Sequence, residues 1–171
     1  FKQFIWLLLG CLLFITAQWF RIQFFHEYAY HLYGLLIFLI SGTYFMLEIG
    51  GAQRWLILGP ISFQPSEICK VFLVFTIARI LADQRGRMND IKILLIILLV
   101  VLIPCFMIFN QPDFGTSIVY AFIAFPMLYW SGIRSFYLFS IIAPIISIIS
   151  AFNLSIFSLW MSILIIIIYI N

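Results

Sequence analysis

A few charged residues stand out in an otherwise oily chain, and their spacing suggests the handling of negative charge. Glu67 and Lys70 are three apart, so on a helix they share one face and can pair. Lys70 falls about one turn inside an apolar segment, where an ionisable side chain marks a functional site facing a bundle interior or a wet cavity. The plainer reading is that Lys70 snorkels outward and pairs with Glu67 for structural reasons. Arg54, followed by Trp55, suits an anionic group because a guanidinium matches phosphate geometry. The same dipeptide also serves as an interfacial anchor at headgroup level. Asp113 reads most simply as a helix cap, and Gly51, Gly59 and Pro60 as turn residues. His26 and His31, with Glu27 between them, are five apart. That spacing does not make a helical pair of metal ligands, so they read as interfacial residues. Cys11, Cys69 and Cys105 lie in or beside apolar runs with no CxxC or Cys/His pattern, and read as packing residues.

Of the 171 residues, 65% are hydrophobic and 9% charged, and mean hydropathy is +1.20. Ordinary soluble domains hold roughly 25% charged residues, and one soluble core cannot hide this much apolar surface. The chain reads as an all-α polytopic membrane protein. Helices are favoured over a barrel because runs such as 93–109 and 156–170 are continuously apolar, whereas barrel strands alternate. Taking about twenty apolar residues per crossing, spans are predicted at 4–20, 32–49, 67–82, 91–109, 115–130, 135–151 and 154–170. That is seven, or six if the closely joined final pair is misread. The chain is treated as a single transmembrane domain. Because it begins at Phe1 rather than Met and stops at Asn171 beside an apolar run, we read it as truncated at both ends.

Basic residues orient the bundle. The loops at 21–31, 83–92 and 131–135 share a side and hold Arg21, Arg85, Arg87, Lys92 and Arg134, with Arg79 just inside the adjoining helix; the other side has Lys2, Arg54 and Lys70. The first side is expected to be cytoplasmic, which puts the loop at 50–66 outside. Gln64-Pro65-Ser66-Glu67 and Gln111-Pro112-Asp113 then share the outer face. Each stands at the start of an inward-running helix, with Ser66 or Gln64 capping one and Asp113 the other. Two helix N-termini there direct partial positive charge at one region. The net charge of +3 is small and scattered, which argues against a nucleic-acid partner.

Three strings carry a resemblance. Gly51-Ala-Gln-Arg-Trp55, Phe63-Gln-Pro-Ser-Glu-Ile-Cys-Lys70 and Gln111-Pro-Asp-Phe-Gly-Thr-Ser117 are similar to signatures of the SEDS proteins (RodA, FtsW and SpoVE). The likeness covers about residues 1–135, and Gln53, where FtsW proteins tend to carry a second Arg, tilts it towards RodA. It implies a multi-pass glycosyltransferase of the bacterial cytoplasmic membrane. Such an enzyme polymerises undecaprenyl-pyrophosphate-linked lipid II into peptidoglycan for elongation and cell shape, beside a class B penicillin-binding protein and among membrane lipids. It also implies a polar site of Arg54, Gln64, Ser66, Glu67, Lys70, Gln111, Asp113 and Thr116. No cofactor is identified, and a divalent cation is compatible with the chemistry.

The resemblance also implies a catalytic Asp in a His-Thr-Asp-Phe-like motif of a large downstream outer loop. No such motif occurs in these residues, and Asp113 and Glu67 match other family positions. The chain is therefore expected to be a piece of such an enzyme that is inactive alone. An extra apolar run at 154–170 departs from the better-known members. Competing readings are a lipid II flippase, an FtsW-like division polymerase, and a structural partner that recruits a penicillin-binding protein. Polar residues crowd one face while the middle of each span is apolar, which favours surface chemistry over transport.

Overall fold

Seven helices and one small hairpin form in the computed structural model, which describes residues 2–46, 54–58, 61–84 and 90–170. In chain order these are α1 (Lys2–Ala17), α2 (Ile22–Thr43), β1 (Leu56–Leu58), β2 (Ile61–Phe63), α3 (Pro65–Asp83), α4 (Ile91–Phe109), α5 (Phe114–Trp130), α6 (Ser135–Ser150) and α7 (Leu154–Ile170). The all-α expectation holds, with the antiparallel hairpin as an addition that hydrophobicity did not indicate. Among the described residues, α4 is the one helix long and apolar enough to cross a membrane, with 19 residues and hydropathy 3.1; α5, α6 and α7 are apolar but shorter. Gly50–Gln53, Gly59, Pro60, Arg85 and Arg87 lie outside the described residues.

The core lies among α2, α3, α4 and α5. Buried positions recur at helical spacings: Ala29, Leu36, Ile40 and Thr43 on α2, and Ser66, Cys69, Leu73, Thr76, Ile77 and Ile80 on α3. That spacing puts each set on one helix face, and α2 and α3 pack together most extensively. Outward faces stay apolar, as at Leu95, Leu99, Leu102 and Phe106 of α4, the surface expected where lipid is the solvent. Every described side chain of α1 is exposed, so α1 stands apart from this core. The half-buried residues of α7 are Phe157, Trp160, Leu164 and Ile167, a helical stripe on which Trp160 Nε1 donates to Ser147 Oγ of α6 at 2.9 Å.

Among the described residues, several polar groups inside the bundle find partners on a neighbouring helix. Pro104 sits within α4 and has no N–H, so the Val100 carbonyl four residues earlier loses its helical donor. Tyr33 Oη of α2 donates to that carbonyl at 3.0 Å. Replacing Tyr33 with Phe leaves a partly buried carbonyl unmet and is expected to cost about 1 kcal/mol, read as a lowered melting temperature. Thr76 Oγ1 donates to the Ala29 carbonyl at 3.1 Å, and Ser117 Oγ to that of Cys105 at 3.0 Å. These bonds tie α3 to α2 and α5 to α4.

One expectation is corrected. The segment at 21–31, expected as a loop, is helical from Ile22 onward, so His26, Glu27 and His31 belong to the first turns of α2. His26 has partners on α3. Arg79 donates through Nη1 to the His26 carbonyl and through Nε to Asp83 Oδ2 at 2.6 Å. The His26 ring lies between them, with Nδ1 2.9 Å from Arg79 Nη1 and Nε2 3.5 Å from Asp83 Oδ1. Phe25 stacks on Phe75 with centroids 4.4 Å apart. Tertiary pairing thus carries the helix through residues whose polarity suggested its absence.

Candidate functional site

The N-terminal ends of α3 and α5 are joined by their capping residues. Gln64 is the N-cap of α3 and Pro65 occupies its first turn, where a missing N–H costs nothing. The Gln64 side chain does not cap its own helix; its Nε2 donates to Asp113 Oδ2 at 2.8 Å. Asp113 is the N-cap of α5, as expected. Its Oδ1 accepts from the Thr116 backbone N–H at 3.3 Å, and its Oδ2 from Thr116 Oγ1 at 2.9 Å.

The hairpin supplies the third arm. Its register runs from Leu56 opposite Phe63 to Leu58 opposite Ile61. The chain therefore turns back on itself and returns Arg54 to the start of α3. Arg54 Nη1 lies 3.7 Å from Asp113 Oδ2, with side chains 35% and 8% exposed respectively. That separation is an ion pair rather than a hydrogen bond. Arg54 Nε is buried and has no hydrogen-bond partner.

Glu67 and Lys70, in the first turns of α3, pair with each other. Lys70 Nζ donates to both carboxylate oxygens at 2.9 and 2.8 Å, with Lys70 25% and Glu67 55% exposed. Two further candidates serve as struts. Gln111 is buried, and its Nε2 donates to the Ile40 carbonyl at 3.1 Å and to Thr43 Oγ1 at 2.8 Å, fastening the α4–α5 turn to the end of α2. Ser66 is buried, and its carbonyl accepts from Tyr120 Oη at 2.8 Å. Thus Arg54, Glu67 and Lys70 reach the surface, while Ser66, Gln111, Asp113 and Thr116 hold the frame.

Simple charge counting shows what this end favours. Each helix N-terminus is equivalent to roughly half a positive charge. With Arg54 set against Asp113 and Lys70 against Glu67, roughly one positive charge is left over, carried by the two helix N-termini beside a half-buried guanidinium. That suits an anion such as phosphate. Both carboxylates are engaged, Asp113 buried among donors and Glu67 held by Lys70. Among the described residues, no three His, Cys, Asp or Glu side chains gather as a metal set.

Reading the sequence missed Tyr120 and the hairpin. Tyr120 had a signal, because a phenol in the middle of an apolar helix needs a partner once buried. The hairpin had one in the Gly-Pro pair between two short apolar runs.

A family model described as FtsW, RodA and SpoVE, cell cycle protein, matches residues 1–169. A probable peptidoglycan glycosyltransferase FtsW of Aromatoleum aromaticum is 36% identical over 114 residues, covering 65% of this chain and 27% of that protein. The crystal structure of the Thermus thermophilus rod shape determining protein RodA superposes with a TM-score of 0.70 at 30% identity, covering 78% of this chain and 44% of that one. A chain of a peptidoglycan synthase complex, in a structure describing coordinated polymerization and crosslinking, superposes with a TM-score of 0.71 at 27% identity, covering 83% and 42%. The chain thus spans less than half the length of each of these similar proteins.

Proposed function

Because this chain belongs to the FtsW, RodA and SpoVE family, we propose that it forms one wall of the lipid II site of a peptidoglycan glycosyltransferase. The wall lies at the outer face of the bacterial cytoplasmic membrane, in a multi-pass protein whose loops at 83–92 and 131–135 are cytoplasmic. The substrate is a disaccharide-peptide on undecaprenyl pyrophosphate, and the reaction joins sugars as the pyrophosphate leaves. The role is in elongation and cell shape, with a class B penicillin-binding protein as partner. The partner reading is supported by the likeness to a chain of a peptidoglycan synthase complex.

One observation carries the substrate assignment: the N-caps of α3 and α5 are bonded to each other through Gln64 and Asp113 beside Arg54. A pyrophosphate leaving group needs its growing negative charge held more than it needs protonation. Preorganised N–H donors and a guanidinium hold the charge that the pyrophosphate already carries when bound as well as the part that grows as it leaves, so their loss shows first in binding. The other requirement is a base for the attacking sugar hydroxyl. We place it outside this cluster, because both carboxylates here are engaged.

The test uses the full-length protein reconstituted in liposomes with lipid II. Glycan strand formation is the expected result. Movement of lipid II across the bilayer without joined sugars would replace polymerisation with transport.

A further inference from the structure

We propose that Asp113 is a positioning residue for Arg54, its charge holding the guanidinium where it meets an anionic oxygen of the lipid-linked donor. This rests on the reading that the joined N-termini of α3 and α5 bind pyrophosphate.

The bonding of Asp113 separates this role from that of a base. A carboxylate offers about four acceptor positions. Here Oδ1 takes the Thr116 N–H, while Oδ2 takes Gln64 Nε2 and Thr116 Oγ1 and faces Arg54 Nη1. The side chain is 8% exposed, so no substrate hydroxyl reaches it. Its remaining electrostatic influence is exerted through Arg54.

Arg54 in turn depends on Asp113. Among the described residues its polar partner is Asp113, and its buried Nε has no acceptor. No second polar contact there fixes the plane of the guanidinium. A guanidinium has five N–H donors. With Nη1 turned to Asp113 and the side chain 35% exposed, the outward donors remain for a ligand. Asp113 also places this arm, because the same oxygen bonds the N-cap of α3. The hairpin arm and both helix ends are thereby registered on one atom.

Capping and charge can be separated by mutation. Asn caps a helix about as well as Asp, so Asp113→Asn preserves shape, cap and an acceptor while removing the charge that faces Arg54. Asp113→Ala removes the cap as well.

The experiment is a double-mutant cycle in the full-length protein, with lipid II as substrate and melting temperature recorded for each variant. Arg54→Ala is expected to raise KM about 10- to 100-fold, the effect of losing one charge-assisted contact, and Asp113→Asn about tenfold. Turnover should change far less, and the double variant should be no worse than Arg54→Ala. Asp113→Asn should melt close to wild type, and Asp113→Ala lower. Independent, additive effects of the two substitutions overturn the proposal, as does a collapse of kcat in Asp113→Asn at unchanged KM. An unchanged KM in Asp113→Asn alone also overturns it while leaving the anion site standing. An unchanged KM in Arg54→Ala overturns the anion reading and this inference together.

Discussion

Replacing Lys70 with Ala in the full-length protein is expected to abolish lipid II polymerisation, a fall of at least about 10²-fold in kcat, while the protein stays folded. Lys70 is the one ammonium in the first two turns of α3, a quarter exposed and clamped by both oxygens of Glu67. Removing either partner leaves an uncompensated charge at the membrane boundary, so Glu67→Ala is expected to be comparably damaging. A charge swap separates structure from chemistry. Glu67→Lys with Lys70→Glu keeps an ion pair at the same spacing, for a helix-dipole cost of about 0.3–1 kcal/mol. If the pair only braces the helix, activity returns. If the ammonium must face an anion from its own position, the swapped protein folds and stays inactive, which is the expected result. Normal polymerisation by Lys70→Ala would remove this residue from the site.

The second large effect is at Arg54. A charge-assisted contact contributes roughly 1.5–3 kcal/mol, so Arg54→Ala is expected to weaken lipid II binding by about 10- to 100-fold. Arg54→Lys should recover little of this, since an ammonium lacks the planar fork that meets two phosphate oxygens at once. An interfacial anchor behaves differently, because Lys serves nearly as well at headgroup level and binding barely moves. Steady-state kinetics of the two variants, read alongside membrane insertion, distinguish these roles.

Apolar runs and helix starts were legible in the sequence. Residues 91–109 were predicted as a span and form α4, and the predicted segments at 115–130, 135–151 and 154–170 lie within a residue of α5, α6 and α7. Hydrophobicity works there because lipid leaves the backbone no partner but itself. It failed at the start of α2, where Arg21, His26, Glu27 and His31 look like a loop. Their helix is held by groups on α3 some fifty positions away, and nothing local to the segment reports Arg79 or Asp83. The site divides in the same way. Gln64 and Asp113 were each readable as the start of a helix, Asp113 from its side chain and Gln64 from the Gln-Pro pair. Their bond to one another spans 49 positions and depends on the packing of α3 against α5. Gln111 enters the expected polar site through the family resemblance. Its amide instead points inward to Ile40 and Thr43, a role that only the fold of α2 reveals.

The central claim is that this end of the bundle recognises the pyrophosphate of a lipid-linked donor. It is tested most directly by measuring the dissociation constants of the full-length protein for lipid II and for the same disaccharide on undecaprenol without the pyrophosphate, in wild type and Arg54→Ala. Wild type is expected to bind the pyrophosphate compound far more tightly, and Arg54→Ala to lose about 10- to 100-fold of that preference. Equal affinity of wild type for the two compounds, or an unchanged preference in Arg54→Ala, would contradict it.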